Sequence, residues 1–276
     1  MGRLGSWLWK ALFYLVIVII IAVILMPIVW AVFLSFREDG RMFDPPWRLP
    51  LNFTVNNFTN KILTPAFLKA IQNSFVIALF TTVFTVALGV PAGFALARWE
   101  FKGKKILLWF ILLLRMAPPI GFAIPLFLVY VRFMLVDTYP AIVSAYMTFT
   151  LPLVIWLFTM FMTTIPKELF ESAEIDGAGI WKSFIKISVP LSRAGLLSSC
   201  VLAFGACWND FFYALIITRR NLSPGTVAVM NFVTYAGFDW GGVAAACLVL
   251  IIPAIPIAFV MQKYLASGFM SGAVKG

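Results

Sequence analysis

Residues 11–36 read ALFYLVIVIIIAVILMPIVWAVFLSF. A bilayer core of about 30 Å takes roughly 20 apolar residues as helix, and this run, rich in Ile and Val, meets that length. It is read as a membrane-spanning helix. Arg3 and Lys10 precede it, as basic residues precede a secretory signal. The run exceeds the ~7–15 residues of a signal's apolar core, and no convincing small-residue cleavage site follows, so the helix is expected to be retained.

Five more stretches of the same kind follow: 71–97, 106–130, 140–162, 196–217 and 243–261. The fold class is therefore all-α, a polytopic membrane protein of about six spans, read as a single domain over 1–276. Composition agrees. The chain is 62% hydrophobic and 12% charged, with a mean hydropathy of +0.99. Soluble domains carry about 25% charged residues, so most of this surface faces lipid. The formal net charge of +10 would suggest nucleic acid in a soluble protein. Here the basic residues flank apolar runs, where they meet anionic headgroups, and no nucleic-acid partner is expected.

Several chemistries are excluded. With no histidine, the commonest metal ligand and general base is missing. HExxH, CxxC and GxSxG are absent, and so is GxxxxGK[ST], so the chain cannot hydrolyse ATP by itself. Cys200, Cys207 and Cys247 lie in apolar runs without paired spacing and read as small packing residues.

Orientation follows from Lys and Arg. With the N-terminus inside, the inner segments hold 12 basic residues and the outer ones 8, with Arg115 left within a span. The loop Arg98–Lys105 is sharpest, with four basic residues against one acid. Both termini are expected in the cytoplasm. The outer segment 37–69, with Pro45, Pro46, Pro50 and Pro65, reads as a loop or small cap.

The loop 165–190, IPKELFESAEIDGAGIWKSFIKISVP, is the most informative. Pro166 suits a first helical turn. A short helix is predicted to Asp176, stopped by Gly177 in the left-handed conformation. A second helix follows, with Ile180, Trp181, Phe184 and Ile187 on one apolar stripe, ended by Val189-Pro190. Glu168, Glu171 and Glu174 fall on neighbouring positions of one helical face, where like charges repel. At an anionic membrane surface such a stripe is either simply solvated or docked against something basic.

The order Glu171-Ser172-Ala173, three residues, Gly177, nine residues, Ile187, one residue, Val189-Pro190 resembles the EAA loop of ABC importer permeases. Ser172 replaces the family's second Ala and Val189 its Leu. The resemblance implies that this loop is a cytoplasmic coupling helix. It would sit in a cleft of an ATP-hydrolysing subunit, with Glu171 facing a basic residue there and Gly177 making the turn. ATP and Mg would belong to that partner, and this chain would bind no cofactor. The implied partners are a second permease, two ATP-binding subunits and an extracytoplasmic solute-binding protein, in a bacterial or archaeal inner membrane.

Three further stretches resemble the carbohydrate branch of that family, in particular its maltose-transporter-like second permease. They are Leu114–Ile120 continuing to Phe127, Trp208-Asn209-Asp210-Phe211-Phe212, and the terminus Ser271–Gly276. In that branch the loop corresponding to Thr218–Gly241 reaches toward the binding protein, and the tail, here Ser267–Gly276, touches the ATPase.

Physical readings stand beside these. Pro118 and Pro119 remove two amide donors within the third span, so the helix must kink or break there, either for packing or to line a cavity. Arg115 and Asp210 are intramembrane charges, costly unless paired or facing water. They either pair between helices or both face the translocation path. Asn209 reads as interhelical glue or a sugar ligand. Trp208, Phe211 and Phe212 read as packing or as stacking surfaces for a sugar. A secondary transporter or channel is the rival reading, and it predicts more buried carboxylates or an internal repeat. Neither is visible. The solute is expected to be a disaccharide, glycoside, polyol or glycerol phosphate ester.

Overall fold

A computed structural model describes residues 3–38, 53–234 and 237–270. Pro45, Pro46 and Pro50 and the tail Ser271–Gly276 lie outside the described residues. The helices, in chain order, are α1 (Arg3–Ser35), α2 (Pro65–Arg98), α3 (Lys104–Met116), α4 (Pro119–Arg132), α5 (Tyr139–Met162) and α6 (Glu168–Ile175). There follow α7 (Ile180–Ser183), α8 (Val189–Leu191), α9 (Arg193–Trp208), α10 (Phe212–Ile217), α11 (Gly225–Ala228) and α12 (Trp240–Met270). β1 (Val233–Thr234) pairs antiparallel with β2 (Gly237–Phe238).

Among the described residues, four helices are long and apolar enough to cross a membrane: α1, α2, α5 and α12. Two bent pairs bring the number to six if each pair is one span. Proline inside α1, α2, α5 and α12 is tolerated because neighbouring groups re-satisfy the freed carbonyls. Pro65 opens α2 instead of lying in the preceding loop, where its missing N–H costs nothing.

Two sequence expectations change. The fifth span, expected over 196–217, is not one helix. It stops at Trp208 and resumes at Phe212. Asn209 Nδ2 donates to Gly205 O at 2.8 Å, and Asp210 Oδ2 accepts from Ala214 N at 3.2 Å. Local side chains therefore compete with the backbone ladder and cap the short helix that follows. Second, Val189-Pro190 does not end the loop's second helix. Residues Phe184–Ser188 form a π-helical turn and the helix runs on through Leu191. The wide turn relieves the clash of the Pro190 ring with the carbonyl four residues earlier. The chain then bends by 79° before α9.

The chain divides into two compact units, residues 1–68 with 229–251, and residues 69–228 with 252–276. In the first, the buried Asn57 amide closes the end of α1 by donating to Ser35 O (3.0 Å) and Arg37 O (2.9 Å). Lys61 pairs with Asp239 at 2.7 Å, and Asp239 caps α12 through Gly242 N. Of the segment 37–69 expected to be a loop or small cap, residues 53–62 make these contacts, 39–52 lie outside the described residues, and 65–69 belong to α2. None of the most apolar stretch of α1 is buried within the chain.

In the second unit α5 is central. Gly89 and Gly93, one turn apart on α2, let that helix touch α5. A Cβ at Gly89 would lie 2.8 Å from Val154 Cγ1, and one at Gly93 would lie 3.0 Å from Ile155 O. Gly195 of α9 does the same against the Phe161 ring, at 2.5 Å. Small residues at such crossings replace the hydrophobic drive that lipid removes. Thr85 and Thr150 hydroxyls join α2 to α5 at 2.9 Å, worth about 0.6 kcal/mol in a membrane interior. Two apolar clusters fill the unit. One surrounds Ile142, Tyr146 and Tyr213; the other surrounds Phe94, Val154, Phe158, Phe170 and Phe184.

At the α10 end, Asp137 holds the following segment in place. Its carboxylate accepts from the backbone N–H of Arg219 (2.8 Å), Asn221 (3.1 Å) and Leu222 (3.1 Å). Asn73 donates to Asn221 O and Ser223 O from α2. Residues 219–223 are therefore pinned from two sides.

Candidate functional site

The loop 165–190 has the predicted order of helix, glycine turn and helix. Helix α6 starts at Glu168, two residues after Pro166. Asp176 is its C-cap, and Gly177 follows with φ +75°. Ala178 N reaches back to Ala173 O at 2.8 Å and Gly177 N to Glu174 O at 3.1 Å, closing the helix end. Glu171 and Ser172 are exposed, Ala173 is half-buried and Gly177 is exposed; Ile187 and Pro190 are half-buried. Phe170 and Phe184 point inward onto Phe94 of α2, with ring centroids 6.1 and 5.1 Å away.

The expected apolar stripe of the second helix splits. Phe184 and Ile187 pack inward, but Ile180 is exposed and Trp181 is 68% exposed, its ring edge meeting Phe184 at 6.0 Å. These two occupy the single turn of α7, ahead of the residues that reach the cluster. Ile175 is 87% exposed, and Leu169 and Ile185 are also open. The loop thus presents carboxylates set among uncovered apolar side chains.

The acidic stripe is not uniform either. Glu174 has a partner within this chain: Arg98, the last residue of α2, places Nη2 3.5 Å from its Oε2. The same guanidinium lies over the Phe170 ring, 5.2 Å from its centroid. Beside it, Lys104 donates to Glu100 at 2.8 Å, and that bond and charge hold the Glu100 carboxyl below its ordinary range. A cleft of about 300 Å³ opens between Phe94, Arg98, Trp99 and residues 177–180.

A second cleft, of about 390 Å³, lies at the break between α3 and α4. These helices meet at 86°. Ala117 and Pro118 are extended, and Pro119 begins α4. Lacking N–H groups, Pro118 and Pro119 cannot bond the carbonyls of Leu114 and Arg115, so the break exposes polar backbone. Arg115, Pro118, Pro119 and Asp210 all line this cleft, with Phe122, Thr148, Phe149 and Tyr213. Phe149 and Tyr213 rings lie 5.5 Å apart, and the Thr148 and Tyr213 hydroxyls are 3.1 Å apart. Such a lining offers ring faces and hydroxyls together, the combination that grips a polyol.

Arg115 and Asp210 do not form an ion pair among the described residues. Arg115 Nη1 reaches Phe149 O at 3.5 Å, whereas Asp210 accepts from Ala214 N. Instead of pairing with each other, both side chains line the same cleft. Trp208 and Asn209 are not part of its lining. Trp208 is buried and stacks on Phe204 at 6.0 Å. Asn209 is exposed and its amide bonds Gly205 O of its own helix.

Sequence reasoning missed Arg98, Phe170, Tyr146, Asp137 and the glycine contacts of α5. Gly89-x-x-x-Gly93 was visible as a helix-packing spacing. The contacts of Arg98 and Asp137 span distant parts of the chain and leave no local signal.

Comparison with known proteins adds the following. Residues 89–270 match the family described as "Binding-protein-dependent transport system inner membrane component". The trehalose transport system permease protein SugB of Mycobacterium tuberculosis (strain CDC 1551 / Oshkosh) is 35% identical, covering 100% of both chains. The trehalose/maltose transport system permease protein MalG of Thermococcus litoralis is 34% identical, covering 97% of this chain and 98% of that one. A chain of a bacterial ABC transporter involved in the import of the acidic polysaccharide alginate has the same fold. Its TM-score is 0.80 at 20% identity, over 96% of this chain and 98% of that one.

Proposed function

The chain belongs to the binding-protein-dependent transport system inner membrane components, and on that premise we propose that it imports a sugar or sugar-like solute as one of two permeases driven by separate ATP-hydrolysing subunits. It is a multi-pass membrane protein and a transport subunit, not an enzyme. The solute is a disaccharide, a glycoside, a polyol or a glycerol phosphate ester, delivered by an extracytoplasmic binding protein. Relatives named for trehalose, maltose and diacetylchitobiose support that class.

The observation that carries the reading is the loop 165–190. Its Glu171 stands in solvent one helical turn before the exposed Ile175, on a helix stopped by a left-handed Gly177, and Trp181 lies exposed in the helix that follows. An isolated soluble loop gains nothing from uncovered apolar side chains of this size; a cleft in a partner buries them and answers the carboxylate. In this account the loop faces the cytoplasm with both termini. ATP and Mg sit on the partner, and closure of two ATP-binding subunits pushes on the loop. The helices then rock to pass solute along the cleft that Arg115 and Asp210 border. Residues 218–241 meet the binding protein, and the tail beyond residue 266 meets the ATPase.

Glu171→Lys tests this directly in the co-expressed complex. The expected result is normal insertion with loss of the co-purifying ATP-binding subunit, or of solute-stimulated ATP hydrolysis. Retention of both would sink the assignment.

A further inference from the structure

We propose that Arg98 is a positioning residue that fastens α6 to the end of span α2, so that a push on loop 165–190 is passed into the membrane helices. The inference rests on the coupling role proposed above for that loop.

Helix α6 has eight residues, too few to be stable or rigid on its own. It must be held from outside. Its inward face carries Phe170 and, four residues on, Glu174, which stack on the same side of a helix. Arg98 holds both: the guanidinium lies 5.2 Å above the Phe170 ring and 3.5 Å from the Glu174 carboxylate. Phe170 is itself buried against Phe94, one turn earlier on α2. The two helices are thus joined by a ring contact below and a charge contact above.

The residue type fits the task. A planar guanidinium stacks on an aromatic face while its edge donates to a carboxylate; an ammonium, a compact and strongly hydrated point charge, has no plane to stack and does both less well. The ion pair alone would be weak, because the Glu174 side chain is 77% exposed while that of Arg98 is 20% exposed. The buried ring supplies the fixed footing that the exposed carboxylate lacks. Arg98 also borders two clefts, of about 300 and 220 Å³, that flank it on either side. It therefore bridges a gap that apolar packing does not fill. Because α2 runs unbroken from Pro65 to Arg98, a displacement delivered at its last residue is carried along the helix.

The test uses the complete complex in proteoliposomes, with solute uptake and ATP hydrolysis measured per assembled complex. Arg98→Gln and Glu174→Gln should each lower uptake per ATP hydrolysed by roughly 2- to 30-fold, the range for residues along a coupling route. Arg98→Lys should fall between them and the native protein. Combining Arg98→Glu with Glu174→Arg should recover much of the loss seen with Arg98→Glu alone, which a merely structural defect would not do. If Arg98→Gln fails to assemble, Glu174→Gln, altering an exposed side chain, decides. Native uptake per ATP in the glutamine variants, or no recovery in the reversed pair, overturns the proposal. Glu171→Lys is run alongside. If it uncouples while the Arg98 and Glu174 variants behave as native, only the fastening fails. If it too is silent, the coupling role falls and takes this inference with it.

Discussion

Gly177 carries φ +75°, in the middle of the segment that distinguishes this chain from other apolar helical proteins. A Cβ there would meet nothing within 4 Å, so the requirement for glycine is one of backbone and not of space. Gly177→Ala should therefore cost about 1 kcal/mol of local strain while leaving the membrane core untouched. The expected result is a clear loss of ATP-driven uptake with thermal stability changed by a few degrees at most. Gly177→Asn, whose short polar side chain tolerates the left-handed region, should be milder than Ala in the same assay. Equal uptake by Gly177→Ala and the native protein would remove the turn from the account. Asp210 shows the other side of residue-level reasoning. Its charge suggested either an ion pair or a place on the path. The structure uses its carboxylate to bond the first turn of α10 while leaving it on the cleft wall. Only the geometry separates these uses.

At the scale of the element, α5 organises the second unit, with α2 and α9 packed on it through glycine. Gly195 has a Phe161 ring carbon 2.5 Å from where its Cβ would stand, a clash that backbone must absorb. Gly195→Val should push α9 from α5 and cost about 2 kcal/mol or more, as overpacking does. Reduced yield of folded protein in detergent, with a lowered unfolding midpoint, checks it. Gly205→Val, where the nearest side chain is 4.0 Å away, serves as the mild control. The elements also show what a linear reading can recover. Helices α1, α2, α5 and α12 follow from uninterrupted apolar runs; α5 matches the expected 140–162 to within a residue, whereas α1 starts at Arg3 instead of 11, α2 at Pro65 instead of 71, and α12 runs on to Met270 instead of 261. The Pro118-Pro119 break was legible because two missing donors leave no alternative. The break at Asn209–Phe211 was not, because hydropathy averages over a window while two polar side chains act on single backbone groups. The acidic stripe was legible as an anomaly. That Arg98 answers one of its members was not, since the two lie 76 positions apart (174 − 98).

For the whole molecule, packing in the second unit joins two places, loop 165–190 and the cleft at the α3–α4 break. Loop 165–190 is anchored on the Phe94 and Phe184 cluster, and Phe94 belongs to α2. The α3–α4 break and Asp210 line the cleft, and Tyr213 of its wall packs against Tyr146 of α5. α2 and α5 touch along Gly89, Gly93 and the Thr85–Thr150 bond. A continuous packed route therefore runs from loop to cleft through two long helices. The two buried clusters of the spans contain none of residues 171–177, so the proposed coupling role predicts a loop segment dispensable for folding and needed for transport. Deletion of Glu171–Gly177, followed by membrane insertion, ATP hydrolysis and solute uptake in one preparation, tests this most directly. The account predicts normal insertion and no ATP-driven uptake. Undiminished uptake by the deleted protein would contradict it.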